Sequence, residues 1–237
     1  MSIAPGVLFT IAGFPVTNTI LATLLTDAAI ITIVILLGKT ISLRPGRLQN
    51  IFESVVEYFY NSVKDIAGQR ASFIYPWVTS FFIFIVAANL IEFIPGFESV
   101  RFLPNNVLHE DGEHGFAFLR AATSDLNLTL ALAVITVIAS HYYSIKETGF
   151  KSYLSRFISL KMFPIMLFVG FLEFISELVK FVSFSFRLFG NIYAGDMLLE
   201  KTFYFVMPLE VFVGLIQALV FAMLTMAFMN ILTEKHH

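Results

Sequence analysis

Leu126 to Ile145 reads LNLTLALAVITVIASHYYSI, a run with no Asp, Glu, Lys or Arg. At 1.5 Å per residue, such a run reaches about 30 Å as a helix, the thickness of a bilayer's hydrocarbon core. Four more apolar stretches lie on either side of it. Val16 to Leu37 has one charge, Asp27, and Tyr75 to Ile94 has one, Glu92. Met162 to Leu199 and Phe203 to Leu232 complete the set. Met162 to Leu199 would reach roughly 57 Å as one helix, too long for an upright span, so it must tilt steeply, break or fold back. Prolines that favour helix starts stand near three of the proposed beginnings: Pro76, Pro164 and Pro208. Asp27 and Glu92 are read as charges near span ends, within reach of the interface.

The composition agrees with this pattern. The chain has 237 residues, 57% hydrophobic and 14% charged, against about 25% charged in soluble domains. So little polar surface could not cover a water-soluble globule. A net charge of −2 gives no basic patch for nucleic acid. With no cysteine, disulfides, thiolate metal sites and cysteine nucleophiles are excluded. The N-terminus has neither the basic start nor the cleavage site of a signal peptide, so the spans themselves are expected to direct insertion. The fold class is therefore all-α integral membrane: one domain over residues 1–237, with about five crossings.

Basic residues alternate between the loops. Lys39, Arg44, Arg47, Lys64 and Arg70 follow the first span, and Lys146, Lys151, Arg156 and Lys161 follow the third. The loop after the second holds only Arg101 and Arg120, among acids. The positive-inside rule then puts the N-terminus outside and the C-terminus in the cytoplasm. Residues 47–67 differ from the spans. Leu48, Ile51, Val55, Phe59 and Val63 share one face, and Glu53, Glu57, Lys64 and Asp65 are polar. That pattern predicts an amphipathic helix lying at the membrane surface.

An ionisable residue inside a span costs at least about 2.5–3.5 kcal/mol and is a functional candidate by default. The fourth stretch holds Glu173, Glu177, Lys180, Arg187 and Asp196. On a helix turning about 100° per residue, Glu173, Glu177, Lys180, Arg187 and Asn191 fall within one stripe of about 80°. Glu177 and Lys180, three residues apart, can neutralise each other. Arg187 has no carboxylate in reach on its own helix and stays protonated in any environment. It therefore calls for an anionic partner elsewhere. Asp196 and Glu210 belong near the outer face on successive segments, with Asn191 and Gln217 one layer deeper. Glu173 and Glu177 lie on the inner side of Arg187. The pattern suggests two polar half-paths, one from each face, separated by a fixed positive charge. Other signals carry less. His109 and His114 are one residue too far apart for a helical zinc pair, and no Walker loop or GxSxG is present. No cofactor or metal site is expected.

The run SFRLFGNIYAGDMLL, Ser185 to Leu199, resembles the signature of subunit a of the rotary ATP synthase. LRPGRLQNIFE (Leu43 to Glu53), NLIEFIPG (Asn89 to Gly96) and TSDLNLTLAL (Thr123 to Leu132) are similar to further stretches of that family in the same order. The resemblance covers roughly residues 15 to 235 and implies a tilted fourth helix beside a rotating ring of c subunits. It implies that Arg187 attracts each ring carboxylate and blocks ion leakage. Asp196, Glu210, Asn191 and Gln217 match outer half-channel positions, and Glu173 an inner one. Glu177, Lys180, Asp125 and Asn127 are weaker candidates. The implied partners are the c-ring, the peripheral-stalk b subunits, the rest of the enzyme and the lipid bilayer. The implied location is an energy-transducing membrane, the bacterial plasma membrane, and ATP chemistry lies elsewhere. Protons are the expected ion. A Na⁺-translocating form of the subunit and a stand-alone cation-coupled transporter stay as alternatives.

Overall fold

The structure is a computed structural model. It describes residues 6–11, 13–42, 45–92, 94, 101–102, 116–117, 119–120, 122–150, 208–209 and 211–234, with 153, 168, 172, 175, 176, 179, 182, 183, 186 and 190 as single positions. The described elements are a hairpin of β1 (Val7–Ile11) and β2 (Phe14–Thr17), α1 (Asn18–Thr40), α2 (Arg47–Ala67) and α3 (Ala71–Glu92). A two-residue pair, β3 (Arg101–Phe102) with β4 (Phe116–Ala117), precedes α4 (Leu126–Thr148) and α5 (Val211–Thr233). A 3-10 turn, Gly68–Arg70, joins α2 to α3, so that Arg47–Ile91 is one helical run of 45 residues. Among the described residues, four helices are long and apolar enough to cross a membrane: Asn18–Lys39, Arg47–Ile91, Leu126–Thr148 and Val211–Thr233. The chain is a helical, multi-pass membrane protein.

Three expectations change. The first helix begins at Asn18 rather than Val16, because Phe14–Thr17 pairs back onto Val7–Ile11 through a tight loop whose Gly13 has φ of 85°. Thr17 then caps α1, its hydroxyl accepting from the Ile20 N–H at 3.3 Å. Asp27, expected near a span end, is the tenth residue of the 23-residue α1 and so lies near its middle. Pro76, expected at a helix start, lies inside α3, which begins five residues earlier. Its missing N–H leaves the Ser72 carbonyl without the usual helical donor, a defect that membrane helices tolerate through neighbouring groups. Glu92 is the last residue of α3, and α2 covers the predicted residues 47–67. Most of the fourth stretch lies outside the described residues, and with it the fifth crossing and the tilt.

The chain divides into two compact units, one formed by Met1–Glu53, Phe82–Asp125 and Phe189–Ala218, the other by Ser54–Phe81, Leu126–Leu188 and Leu219–His237. The second has a core of Phe59, Val63, Ile74, Val78, Met229 and Leu232, all fully buried. Aromatic pairs tie its helices: Phe73 stacks on Tyr143 at 4.6 Å, and Phe81 meets Phe221 edge-on at 5.7 Å. The end of α5 is bonded by side chains from two sides, the Asn230 carbonyl accepting from the Glu234 N–H at 3.0 Å as well. Arg70 donates to the Asn230 carbonyl at 3.1 Å and to the Thr233 hydroxyl at 3.3 Å, and Ser144 donates to the Leu232 carbonyl at 2.6 Å. The hydroxyls on the buried side of α4 are mostly satisfied within the helix: Thr136 bonds the Leu132 carbonyl at 2.9 Å and Ser140 the Thr136 carbonyl at 2.7 Å.

Candidate functional site: a buried polar seam

Polar groups concentrate in the first unit, where four elements meet around hydrogen bonds. Asn89 stands in an apolar run of α3 and is buried. Its amide donates to the Gly214 carbonyl of α5 at 3.3 Å. Its side-chain oxygen accepts from the Thr123 hydroxyl at 2.8 Å. Thr123 sits in a 3-10 turn, Ala122–Ser124, that leads into α4. Two residues on, buried Asp125 accepts from the Thr19 hydroxyl of α1 at 2.6 Å, the short distance of a charge-assisted bond to a carboxylate. Gln217 lies three residues beyond Gly214 on α5 and is also buried. Buried polar groups without partners are costly, so this seam fixes the relation of α1, α3, the 3-10 turn and the start of α5.

Gly214 is there for space. A Cβ at this position would come within 3.1 Å of the Asn89 amide nitrogen and 3.4 Å of its Cβ. Glycine lets the amide lie against the α5 backbone without being displaced by a few tenths of an ångström. The site is thus an amide and a carboxylate held in the protein interior by hydroxyl donors. Such groups can relay hydrogen bonds and order water where hydrocarbon could not.

Of the residues singled out in the sequence, the seam unit contains Asp125 and Gln217, both buried. Asn127 is exposed, one residue into α4. Arg187, Asn191, Asp196, Glu210, Glu173, Glu177 and Lys180 lie outside the described residues. Near them, Phe168, Leu172, Ile175, Val179, Val182 and Phe186 are helical and exposed. Their 4-3-4-3-4 spacing makes one apolar stripe, and none of them belongs to the predicted polar stripe. Sequence reasoning missed Thr19, Asn89, Thr123 and Gly214. The available signal was Asn89, an amide inside an otherwise apolar span.

Together these features define a class: multi-pass helical membrane proteins that keep an amide bonded inside a span and a carboxylate bonded just before one. The sequence narrows the class, because it matches the family described as ATP synthase A chain over residues 20–230. The chain belongs to that family. It is 29% identical to ATP synthase subunit a of Moorella thermoacetica, over 99% of each chain. It is 28% identical to the subunit a of Legionella pneumophila strain Philadelphia 1, over 93% of this chain and 88% of that one. With the subunit a of Pseudomonas aeruginosa strain LESB58 it shares 32% identity, over 84% of this chain and 76% of the relative.

Proposed function

We propose that the chain is the stationary ion-conducting subunit of an ATP synthase and offers two aqueous half-channels to the carboxylates of a rotating c-ring. The observation that carries this reading is the buried seam in the first unit. A membrane protein of this family holds Asn89, Thr123, Asp125 and Gln217 in its interior, as a polar path would require. Asp196, Glu210, Asn191 and Gln217 line the outer path, with Asp125 and Asn127 at its edge. Glu173 and Glu177 serve the inner path, beside Lys180. Arg187 stands between them.

The physics follows from the cost of charge in lipid. A proton entering from outside neutralises a ring carboxylate beside Arg187. The neutral site can then turn into hydrocarbon, where an ionised one could not go. After nearly a full turn it meets the inner path and releases the proton. Arg187 draws the ionised carboxylate back and repels cations that would pass straight through. The driving force is about 2.3 kcal/mol per charge per 100 mV. In this reading the b subunits and the rest of the enzyme hold the chain still. It resides in the bacterial plasma membrane, N-terminus outside, and the ion is the proton.

The test is ATP-driven proton uptake by inverted vesicles containing the assembled complex with Arg187→Ala, with passive leak recorded alongside. Loss of pumping with intact assembly, and a larger leak, is the expected result. Normal pumping would refute the reading, and pumping that requires added Na⁺ would refute the choice of ion.

A further inference from the structure

Thr19 bonds differently from three other threonines of α1. Thr23, Thr26 and Thr32 each donate to a carbonyl four residues back on their own helix, at 2.9, 2.9 and 2.7 Å. The fourth residue before Thr19 is Pro15, which lies in β2 and outside the helix. The buried Thr19 hydroxyl is therefore released to a neighbour, and it donates to the Asp125 carboxylate at 2.6 Å. On its other side it meets the Thr17 hydroxyl at 2.9 Å.

A hydroxyl carries one proton. Thr19 gives its proton to the bond with Asp125, so in the bond between the two threonines Thr17 is the donor. The Thr17 oxygen accepts from the Ile20 N–H at 3.3 Å and keeps a second lone pair. Thr17 is half-buried, whereas Thr19 and Asp125 are buried. The three side chains form a row in which both O–H bonds point the same way, from the accessible end of α1 to a carboxylate shielded from water. α1 begins one residue before Thr19 and α4 one residue after Asp125. The row therefore stands where two spans start, at the outer face in the proposed orientation.

Such a row moves a proton by exchanging bonds. A hydronium at the surface gives a proton to the Thr17 oxygen, Thr17 gives its own to Thr19, and Thr19 gives its own to the Asp125 carboxylate. Three O–H bonds break and three form, leaving water outside and a neutral carboxylic acid inside. Rotation of each hydroxyl about its Cβ–Oγ bond then restores the row. A metal cation cannot follow, because oxygens 2.6 and 2.9 Å apart leave no room for it between them.

We propose that Thr17 and Thr19 are a proton relay at the outer mouth of the path, with Asp125 as the carboxylate that receives the proton. The relay rests on the half-channel reading and adds to it an entry that passes protons and excludes Na⁺.

The test is ATP synthesis driven by an acid–base jump in proteoliposomes containing the assembled complex. Thr17→Asn is the deciding variant. Asparagine caps a helix at least as well as threonine, and its amide can still donate to Thr19. It could pass a proton on only through its imidic acid form. Synthesis by Thr17→Asn is expected to fall about a hundredfold, the lower end of what a positioned proton-transfer group supplies, with thermal unfolding unchanged. Thr19→Val breaks the row at its middle and is expected to show the same loss. Thr17→Ser and Thr19→Ser, which keep the hydroxyls, are expected to restore the rate. Parental synthesis in Thr17→Asn would overturn the relay and leave the two threonines a structural tie. So would a loss in Thr17→Ser equal to that in Thr17→Asn. If the Thr19→Val complex does not assemble, Thr17→Asn decides alone. Normal pumping by Arg187→Ala would remove the half-channels themselves, whereas a dead Arg187→Ala beside an unimpaired Thr17→Asn would remove only the relay.

Discussion

Asn89 is the residue of the seam whose removal has the most calculable effect. Replacing it with alanine deletes the bond to Gly214 and leaves the Thr123 hydroxyl, fully buried, without its acceptor. In a soluble core each stranded group costs about 1–3 kcal/mol. Between membrane helices a hydrogen bond averages about 0.6 kcal/mol and reaches at most about 1.7. Taken between that mean and that maximum, each bond counts for about 1 kcal/mol, so Asn89→Ala should cost about 2 kcal/mol. Thr123→Val keeps the shape and removes only the hydroxyl, so about 1 kcal/mol is expected. If the two groups act through each other, the double variant should be about 1 kcal/mol less damaged than the sum. The assay is thermal unfolding of the chain in lipid nanodiscs, where 1 kcal/mol corresponds to about 2–4 °C for a chain of this size. Asn89→Ala should therefore melt about 4–8 °C below the parent. A shift under about 1 °C, or strict additivity with Thr123→Val, would refute the claim that this bond ties α3 to the 3-10 turn.

Three further outcomes follow from the same structure. Gly214→Ala pushes a Cβ against the Asn89 amide at 3.1 Å, so melting should fall by several degrees, and combining it with Asn89→Ala should recover part of the loss. Arg70→Met removes the cationic cap from α5 and should cost about 1–2 kcal/mol. The fluorescence of Trp77, the only tryptophan, reports unfolding of this unit, and an unshifted transition would rule the cap out as a stabilising contact. Thr225→Val should act in the opposite direction. The Thr225 hydroxyl is fully buried and has no partner among the described residues, so the isosteric change should raise the melting temperature by about 2–4 °C; a decrease would mean that the hydroxyl is bonded after all.

The helices were legible because hydrophobic length is a strong signal in lipid. The third span and the amphipathic helix begin where the charge pattern says. The parts that sequence did not give away depend on tertiary contact. Ala12–Gly13 and Pro15 do not announce a hairpin, yet pairing with Val7–Ile11 moves the first helix start to Asn18. Pro76 looked like a helix start because proline favours first turns, but α2 and α3 run together through the 3-10 turn and carry the proline inside. In the site, Gln217 stood out as a polar residue on an apolar segment, and Asp125 came in only through the family resemblance. Thr19 and Thr123 did not, because a threonine in a membrane helix usually bonds to its own backbone, as Thr26 and Thr136 do here. Only the folded chain shows which hydroxyls turn away to a neighbour.

That division among the hydroxyls bears on how the protein is made. A helix whose side-chain donors are satisfied within itself can leave the insertion machinery and wait in lipid alone. Most of α4 meets this condition, through Thr136, Ser140 and Thr148. Ser144 does not: its acceptor is Leu232, 88 residues further along the chain. At about 5–20 residues per second, that acceptor emerges roughly 4–18 s later. Thr19 has the Thr17 hydroxyl beside it at 2.9 Å from the start, and gains its carboxylate acceptor with Asp125, 106 residues on. During synthesis the Ser144 hydroxyl is the temporary debt of α4, settled only when a later segment of the chain arrives beside it.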